Sequence, residues 1–454
     1  MNLVEFLQDL SLKGVKLWLD NGKLRSGGSQ KVLKSDIVNQ LKQHKAEILQ
    51  LLNEQPDLLQ VHALSYGQKG IWFLWQLSPK SYAYNVSFAI RIYSEVDINI
   101  WRQAFLILRE RHSSLRSTFP NRGQAPIQWI HQDQKLDFLQ INAAIWDEET
   151  LRAKVVEAHR HPFDLETEPV MRVRWFNCSE QDHILLLTIH HIAVDGWSLN
   201  LIVKELSEIY QALLAGVEVS LQPLTHTYQD YVHWQQALVE REEGKRLWDY
   251  WQQKLAGELP VLNLPTDRPR PAIKSDHGAA YPFQVSQQLT QNIKALAKSE
   301  GVTLYMLLLA AFQVLLYRYT GQEDILVGSP TSGRTESEFD SIVGYFVDLM
   351  VFRSDVSGHT SFRDFLAQVR QTVMGALDHQ NYPFTLLIER LHLERDPSRP
   401  PIFQVSFALQ NLLEAQEIQQ FLGRTDTFIN WGGMEVKTVA IDQYENQYDL
   451  TLEI

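Results

Sequence analysis

Ile184-Leu185-Leu186-Leu187-Thr188-Ile189-His190-His191-Ile192-Ala193-Val194-Asp195-Gly196-Trp197-Ser198 decides how this chain is read. The first six residues form an apolar run that suits a strand covered on both faces, and Trp197 and Ser198 open a helix-like pattern that reaches Leu214. The two histidines therefore fall at a strand end. Side chains alternate faces along a strand, so His190 and His191 are expected to point opposite ways, one into the protein and one into any channel beside it. Two buried, hydrogen-bonded histidines would be the plain structural reading. Asp195 and Gly196 at fixed spacing behind them turn the pair into a candidate catalytic motif. Adjacent strand residues diverge and no Cys/His cluster with ligand spacing accompanies them, so no metal is expected.

Outward from this run, strands and helices mix. Tyr84 to Ile92 and Met171 to Asn177 read as strands and Ile98 to Arg111 as a helix. A Trp-rich helix is expected from about Gln229 to Leu255, followed by a loop with Pro260, Pro265, Pro269 and Pro271. Beyond it come helix Leu304 to Tyr319, strand Asp324 to Val327, helix Phe362 to Leu377, and strands around Phe403 to Leu409 and Tyr448 to Glu453. The fold class is α/β (α+β), in two lobes with the histidine motif in the first, which suggests a site in the cleft between them.

The first 55 residues form a small α/β unit of their own. After a helix-like start, Val15 to Arg25 alternates apolar and polar residues around Asn21-Gly22, a β-hairpin signal, and a helix is expected from Ser35 to Leu52. Lysine and arginine outnumber aspartate and glutamate here, whereas the whole 454-residue chain carries a net charge of −12.

That overall charge argues against nucleic acid or an anionic membrane as the main partner. At 44% hydrophobic and 21% charged residues, the composition is that of an ordinary globular protein with material for two or three domains. Cys178 is the one cysteine, so no disulfide framework is possible, and it reads as a structural thiol. No secretory signal is visible at Met1-Asn2-Leu3-Val4-Glu5-Phe6, and the apolar stretch Leu304 to Tyr317 is too short to span a bilayer. A cytoplasmic setting is expected.

From about Leu64 onward the body resembles the condensation domains of non-ribosomal peptide synthetases, through several motifs in matching order. Leu64-Ser65-Tyr66-Gly67-Gln68 through Trp72 is similar to the family's opening motif, and Arg111-His112-Ser113-Ser114-Leu115-Arg116-Ser117-Thr118-Phe119 to its second. His190 to Gly196 is similar to the catalytic motif, Tyr228-Gln229-Asp230-Tyr231 to the fourth and Val343-Gly344-Tyr345-Phe346-Val347 to the fifth. His379-Gln380-Asn381-Tyr382-Pro383-Phe384 and Arg395-Asp396-Pro397-Ser398-Arg399 match the last two. Heterocyclising relatives carry aspartates where this chain has His190 and His191. Asp348 and Leu349 depart from the family's usual Asn and small residue, so the lining near Val347 is expected to differ. The family domain also continues past the strand that begins Tyr448-Asp449-Leu450, so the chain is expected to be a fragment of a larger synthetase. The first 55 residues resemble the TubC-type N-terminal docking domain, on the Trp18 hairpin and Lys45-Ala46-Glu47-Ile48-Leu49.

The resemblance implies a docking domain at 1–55 and two chloramphenicol-acetyltransferase-like lobes at 60–225 and 226–454, arranged in a V. It implies amide formation between a donor acyl or peptidyl thioester and an acceptor aminoacyl thioester. Both are carried on the 4′-phosphopantetheine arms of carrier proteins, with no cofactor bound permanently. His191 is the working residue, its neutral imidazole taking or steering the amine's proton, while Gly196 lets a backbone N–H approach the developing oxyanion. His190 faces inward, and Asp195 fixes the loop by holding an arginine, with Arg334 the candidate and Arg353 the alternative. Tyr345 and Asp348 are placed near the channel, and Gln68 reads either as channel lining or as helix packing, as does Trp72.

Trp18, Lys16, Lys23, Leu24 and Arg25 would receive an acidic C-terminal tail of an upstream synthase as an added strand. A downstream adenylation domain is a further partner if the chain is a fragment. Two other classes stay open: a non-catalytic docking and carrier-recruiting platform, and a free-standing acyltransferase that uses a small soluble acceptor.

Overall fold

A computed structural model of the chain describes residues 3–13, 15–20, 23–27, 35–54, 57–121, 125–275, 277–393, 396–410, 421, 428–441 and 447–454. The chain forms two compact units that interleave along the sequence. The first comprises Met1–Trp234, Glu336–Tyr345 and Ala415–Ile441, and the second comprises Gln235–Thr335, Phe346–Glu414 and Asp442–Ile454. The architecture is the mixed α/β type expected from the sequence.

The first unit is built on a six-stranded sheet in the order Ile429–Trp431, Met434–Thr438, Asn85–Ile92, Asp182–His190, Met171–Ser179, Asp137–Asn142. All neighbours are antiparallel except the last pair. The expected strand before the histidines lies at its centre, with Asn85 opposite His190 on one side and Met171 opposite Ile189 on the other. Every residue from His183 to His190 is buried. The apolar run has its physical cause in two covered faces. Leu185, Leu187 and Ile189 meet Trp101, Phe105 and Leu108 of helix Ile98–Arg111, and Ile202, Val203 and Leu206 of helix Gly196–Leu214. Ile184 and Leu186 meet Leu151 and Val155 of helix Glu148–His159 on the other face. Burying each such side chain is worth about 1.5–3 kcal/mol, which makes this strand the best-supported element of the unit.

The N-terminal hairpin is present as strands Lys16–Asp20 and Lys23–Gly27, with Trp18 opposite Arg25 and Leu19 opposite Leu24. Its turn residues Asn21 and Gly22 lie outside the described residues. The single helix expected from Ser35 to Leu52 is two, Ser35–Gln43 and Lys45–Glu54. Helical hydrogen bonds run through the junction, from His44 N–H to the Gln40 carbonyl and from Ile48 N–H to the His44 carbonyl, and the His44 ring stacks on Phe6 there. This N-terminal region does not close its core alone. Phe6, Leu10, Ile48 and Leu52 are buried together with Leu58 and Val61 of strand Leu58–Ala63 and with Ile127 and Trp129 of strand Ile127–His131.

The second unit holds a four-stranded sheet in the order Asp348–Asp355, Asp324–Thr331, Val405–Ala408, Leu450–Glu453. Helices Leu304–Thr320 and Phe362–Leu377 belong to it. The long Trp-rich helix expected from Gln229 to Leu255 is also two, Tyr228–Glu240 and Glu242–Lys254, meeting at Arg241. Gly244 permits the tight junction, because a Cβ there would lie 2.4 Å from the Val239 carbonyl oxygen. Among the described residues no single helix is long and apolar enough to cross a membrane.

Candidate active site

The strand Asp182–His190 delivers both histidines, and the turn after it gives them opposite fates. The backbone N–H groups of His190 and His191 donate to Val170 and Tyr84, and the chain turns back through Ala193 N–H to His190 O and Val194 N–H to His191 O. His190 is buried, and its Nδ1 accepts the Ile192 N–H at 3.1 Å, with Tyr84 and Phe163 around the ring. Burial, reinforced by the neighbouring His191 and Arg172, pushes its pKa down to about 3, so it stays neutral.

His191 is half-buried, and its Nδ1 lies 2.6 Å from the Val194 carbonyl oxygen. A carbonyl only accepts, so Nδ1 carries the proton and Nε2 of the neutral ring keeps its lone pair. The Tyr345 ring stands perpendicular to this imidazole, with centroids 5.1 Å apart.

Asp195 caps helix Gly196–Leu214, its Oδ1 accepting the Ser198 N–H at 2.7 Å from a side chain almost wholly buried. Gly196 is exposed, and a Cβ there would meet nothing within 4 Å, whereas Ser198 and Leu199 in the same turn are buried. Ser198 Oγ donates to the Gly344 carbonyl at 2.8 Å and accepts the Gly344 N–H at 3.0 Å. Ser114 holds the Val343 carbonyl, Trp197 the Asp340 carbonyl, and Tyr228 the Tyr345 carbonyl. Gly344 is required, because a Cβ would lie 2.0 Å from the Tyr228 ring. Five contacts thus pin residues 340–345 beside the histidine loop. Ser114, Ser198 and Tyr228 are missed as site residues by sequence reasoning, because nothing local marks a partner more than a hundred residues away.

Gln68 is fully buried, and its amide is used inside the protein. Its Nε2 donates to the Ile192 carbonyl at 3.0 Å, while its Oε1 and backbone N–H complete a capping box with Ser65. Full burial and these bonds make it a brace for the loop. Trp72 is buried, with its indole N–H on the Phe119 carbonyl.

Arg334, Arg353 and Asp348 lie in the second unit. The Arg334 guanidinium stacks 3.7 Å from the Phe346 ring centroid. Arg353, the alternative partner for Asp195, is engaged by Asp324 at 2.7 Å and by the Ala256 carbonyl, so it is withdrawn from that role. Asp348 accepts the N–H groups of Leu349 and of Phe384, the first residue of helix Phe384–Leu391. The residue keeps some solvent contact. Burial of its carboxyl nevertheless pushes the pKa up to about 7, against those two donors.

In the N-terminal region Trp18 is 47% exposed, Lys23 and Arg25 are exposed, and Leu24 is packed against the local core. Lys16 lies in the first strand, but its side chain is outside the described residues. Among the described residues strand Lys23–Gly27 has one sheet neighbour. No group of three His, Cys, Asp or Glu among them is arranged to hold a metal ion, and burial pushes the Cys178 thiol up.

Comparison with known proteins finds the condensation-domain family over residues 59–454 and the TubC N-terminal docking domain over residues 3–54. One of the linear gramicidin synthase subunits of Brevibacillus parabrevis is 41% identical over 78% of this chain, and bacitracin synthase 2 of Bacillus licheniformis is 33% identical over 90%. The chain spans only 5% and 16% of those two proteins. A crystal structure of a four-domain non-ribosomal peptide synthetase bound to AMP and glycine superposes with a TM-score of 0.80 at 25% identity, covering 87% of this chain and 30% of that one.

Proposed function

Because this chain belongs to the condensation-domain family, with a TubC-type docking domain at its N-terminus, we propose that it joins a carrier-bound donor thioester to the amine of a carrier-bound aminoacyl thioester. The observation that supports this best is the state of His191. Its Nδ1 proton is fixed on Val194, and Nε2 is left to act as a base. Attack of the amine forms the C–N bond and puts charge on the carbonyl oxygen. The amine's proton passes to or is steered by Nε2, and collapse breaks the C–S bond, with the proton leaving on the carrier's thiol. The N–H groups of the first turn, at Gly196, would face the oxyanion. Asp195 fixes this turn as a cap.

The substrates would arrive on 4′-phosphopantetheine arms of donor and acceptor carriers. The basic edge strand Lys23–Gly27, beside Trp18, would take an acidic tail of an upstream synthase as a further strand, with Lys16 beside it.

The test mixes wild-type and His191→Ala protein with a loaded donor carrier and a loaded acceptor carrier, then weighs the acceptor by intact-protein mass spectrometry. A gain equal to the donor acyl group is expected for wild type. The variant should fold and bind carriers but lose about 10²–10⁴ in rate, the usual contribution of a positioned acid–base group. Turnover on a free amine but not on the carrier-bound one would instead mark a free-standing acyltransferase.

A further inference from the structure

We propose that the Tyr228 hydroxyl is a positioning residue for His191, acting through Tyr345. The inference rests on the reading of His191 as the working base.

Tyr228 Oη lies 2.5 Å from the Tyr345 carbonyl oxygen and 2.9 Å from Ser65 Oγ. A hydroxyl has one proton and a carbonyl only accepts, so the Tyr228 proton is committed to Tyr345. Ser65 must then donate its own proton to Tyr228, while Ser65 Oγ accepts the Gln68 N–H at 3.1 Å. The order is Gln68 N–H to Ser65 O–H to Tyr228 O–H to Tyr345 carbonyl, each link polarising the next. Gln68 is also the residue whose side chain holds the Ile192 carbonyl, one position after His191. The chain of bonds thus begins on the histidine loop and ends on the residue whose ring stands against the imidazole.

The Tyr228 ring is equally committed. It is about 1% exposed and fills the space that Gly344 leaves by lacking a Cβ. Ring and hydroxyl therefore fix Gly344 and Tyr345 from two directions. With Nδ1 tied to Val194, the perpendicular Tyr345 ring is a contact that restrains rocking of the imidazole and so the direction of the Nε2 lone pair.

Tyr228→Phe removes the hydroxyl and keeps the ring. Carbethoxylation of the full chain by diethyl pyrocarbonate, located at His191 by fragmentation mass spectrometry, reads the imidazole directly and needs no carrier. Loss of one net hydrogen bond should accelerate modification of His191 about fivefold. Tyr345→Ala should accelerate it at least as much, and buried His190 should remain unmodified in all proteins. Ser65→Ala, which leaves the Tyr228–Tyr345 bond in place, should fall between wild type and Tyr228→Phe. An unchanged His191 rate in Tyr228→Phe or in Tyr345→Ala overturns the proposal, as does a parallel rise at His190, which would mean general loosening. If His191 responds as expected while no protein forms amide product, the amide-forming reading fails and the positioning role stands.

Discussion

His190 and His191 are one position apart and differ in burial and tautomer because the strand ends between them. Their divergence is legible from alternation, whereas which of the two faces inward comes from the family resemblance. Legibility ended at Ser198, whose hydroxyl is tied to Gly344 across 146 residues, and at Ser114, tied to Val343 across 229. Serine in a first helical turn is common, and no neighbour betrays so distant a partner. Asp195 carries a prediction at this scale. Losing the cap in Asp195→Ala should cost about 0.5–2 kcal/mol in denaturant unfolding and lower soluble yield, whereas Asp195→Asn keeps an acceptor and should recover most of it. Unchanged stability with lost turnover would make Asp195 a chemical rather than a structural group. Asp348 carries another. With its pKa raised to about 7, the folded state holds a proton that the unfolded chain releases near pH 4, so this carboxyl costs stability increasingly as pH rises between those values. Asp348→Asn should therefore raise the melting temperature more at pH 8 than at pH 5, and a pH-independent difference would show that the carboxyl is not held protonated.

Elements that bury strongly patterned faces were readable nearly to the residue. Helices Ile98–Arg111 and Phe362–Leu377 begin and end where the sequence puts them, each behind an Asp or Ser cap. Helix Glu148–His159 went unread, since Leu151, Val155 and His159 alone reach its core. Strand Asp348–Asp355, directly after the motif that ends at Val347, went unread, and the helix breaks at His44 and Arg241 carry no proline to announce them. In helix Leu304–Thr320 the core face contains Gln313, fully buried, with neither end of its amide hydrogen-bonded among the described residues. An unsatisfied buried amide costs about 1–3 kcal/mol, so Gln313→Leu should stabilise the protein by roughly 1 kcal/mol in urea unfolding. A loss of stability would mean that the amide is satisfied in solution.

At the scale of the molecule, the sequence suggested lobes in succession, whereas the compact units are interleaved. Strands Ile429–Trp431 and Met434–Thr438 return to the sheet that Asn85–Ile92 helps to begin. Such a pairing is invisible to local patterning, because both partners read as ordinary short strands. The charge contrast between the N-terminal region and the body was legible and leads to a prediction for docking. Reversing Lys23 and Arg25 to glutamate should weaken binding of a synthetic acidic peptide about tenfold at low salt by titration, with the difference shrinking as salt is added. Equal affinities would remove the strand-addition proposal.

The N-terminal region and the body share one core, in which Phe6, Leu10 and Ile48 lie on Leu58, Val61, Ile127 and Trp129. For anyone exchanging docking regions between synthases, the seam is therefore not the sequence boundary near residue 55. A swap cut there would lay a foreign helix on a surface shaped for another, so the transplantable piece is the N-terminal region together with the matching side chains of strands Leu58–Ala63 and Ile127–His131.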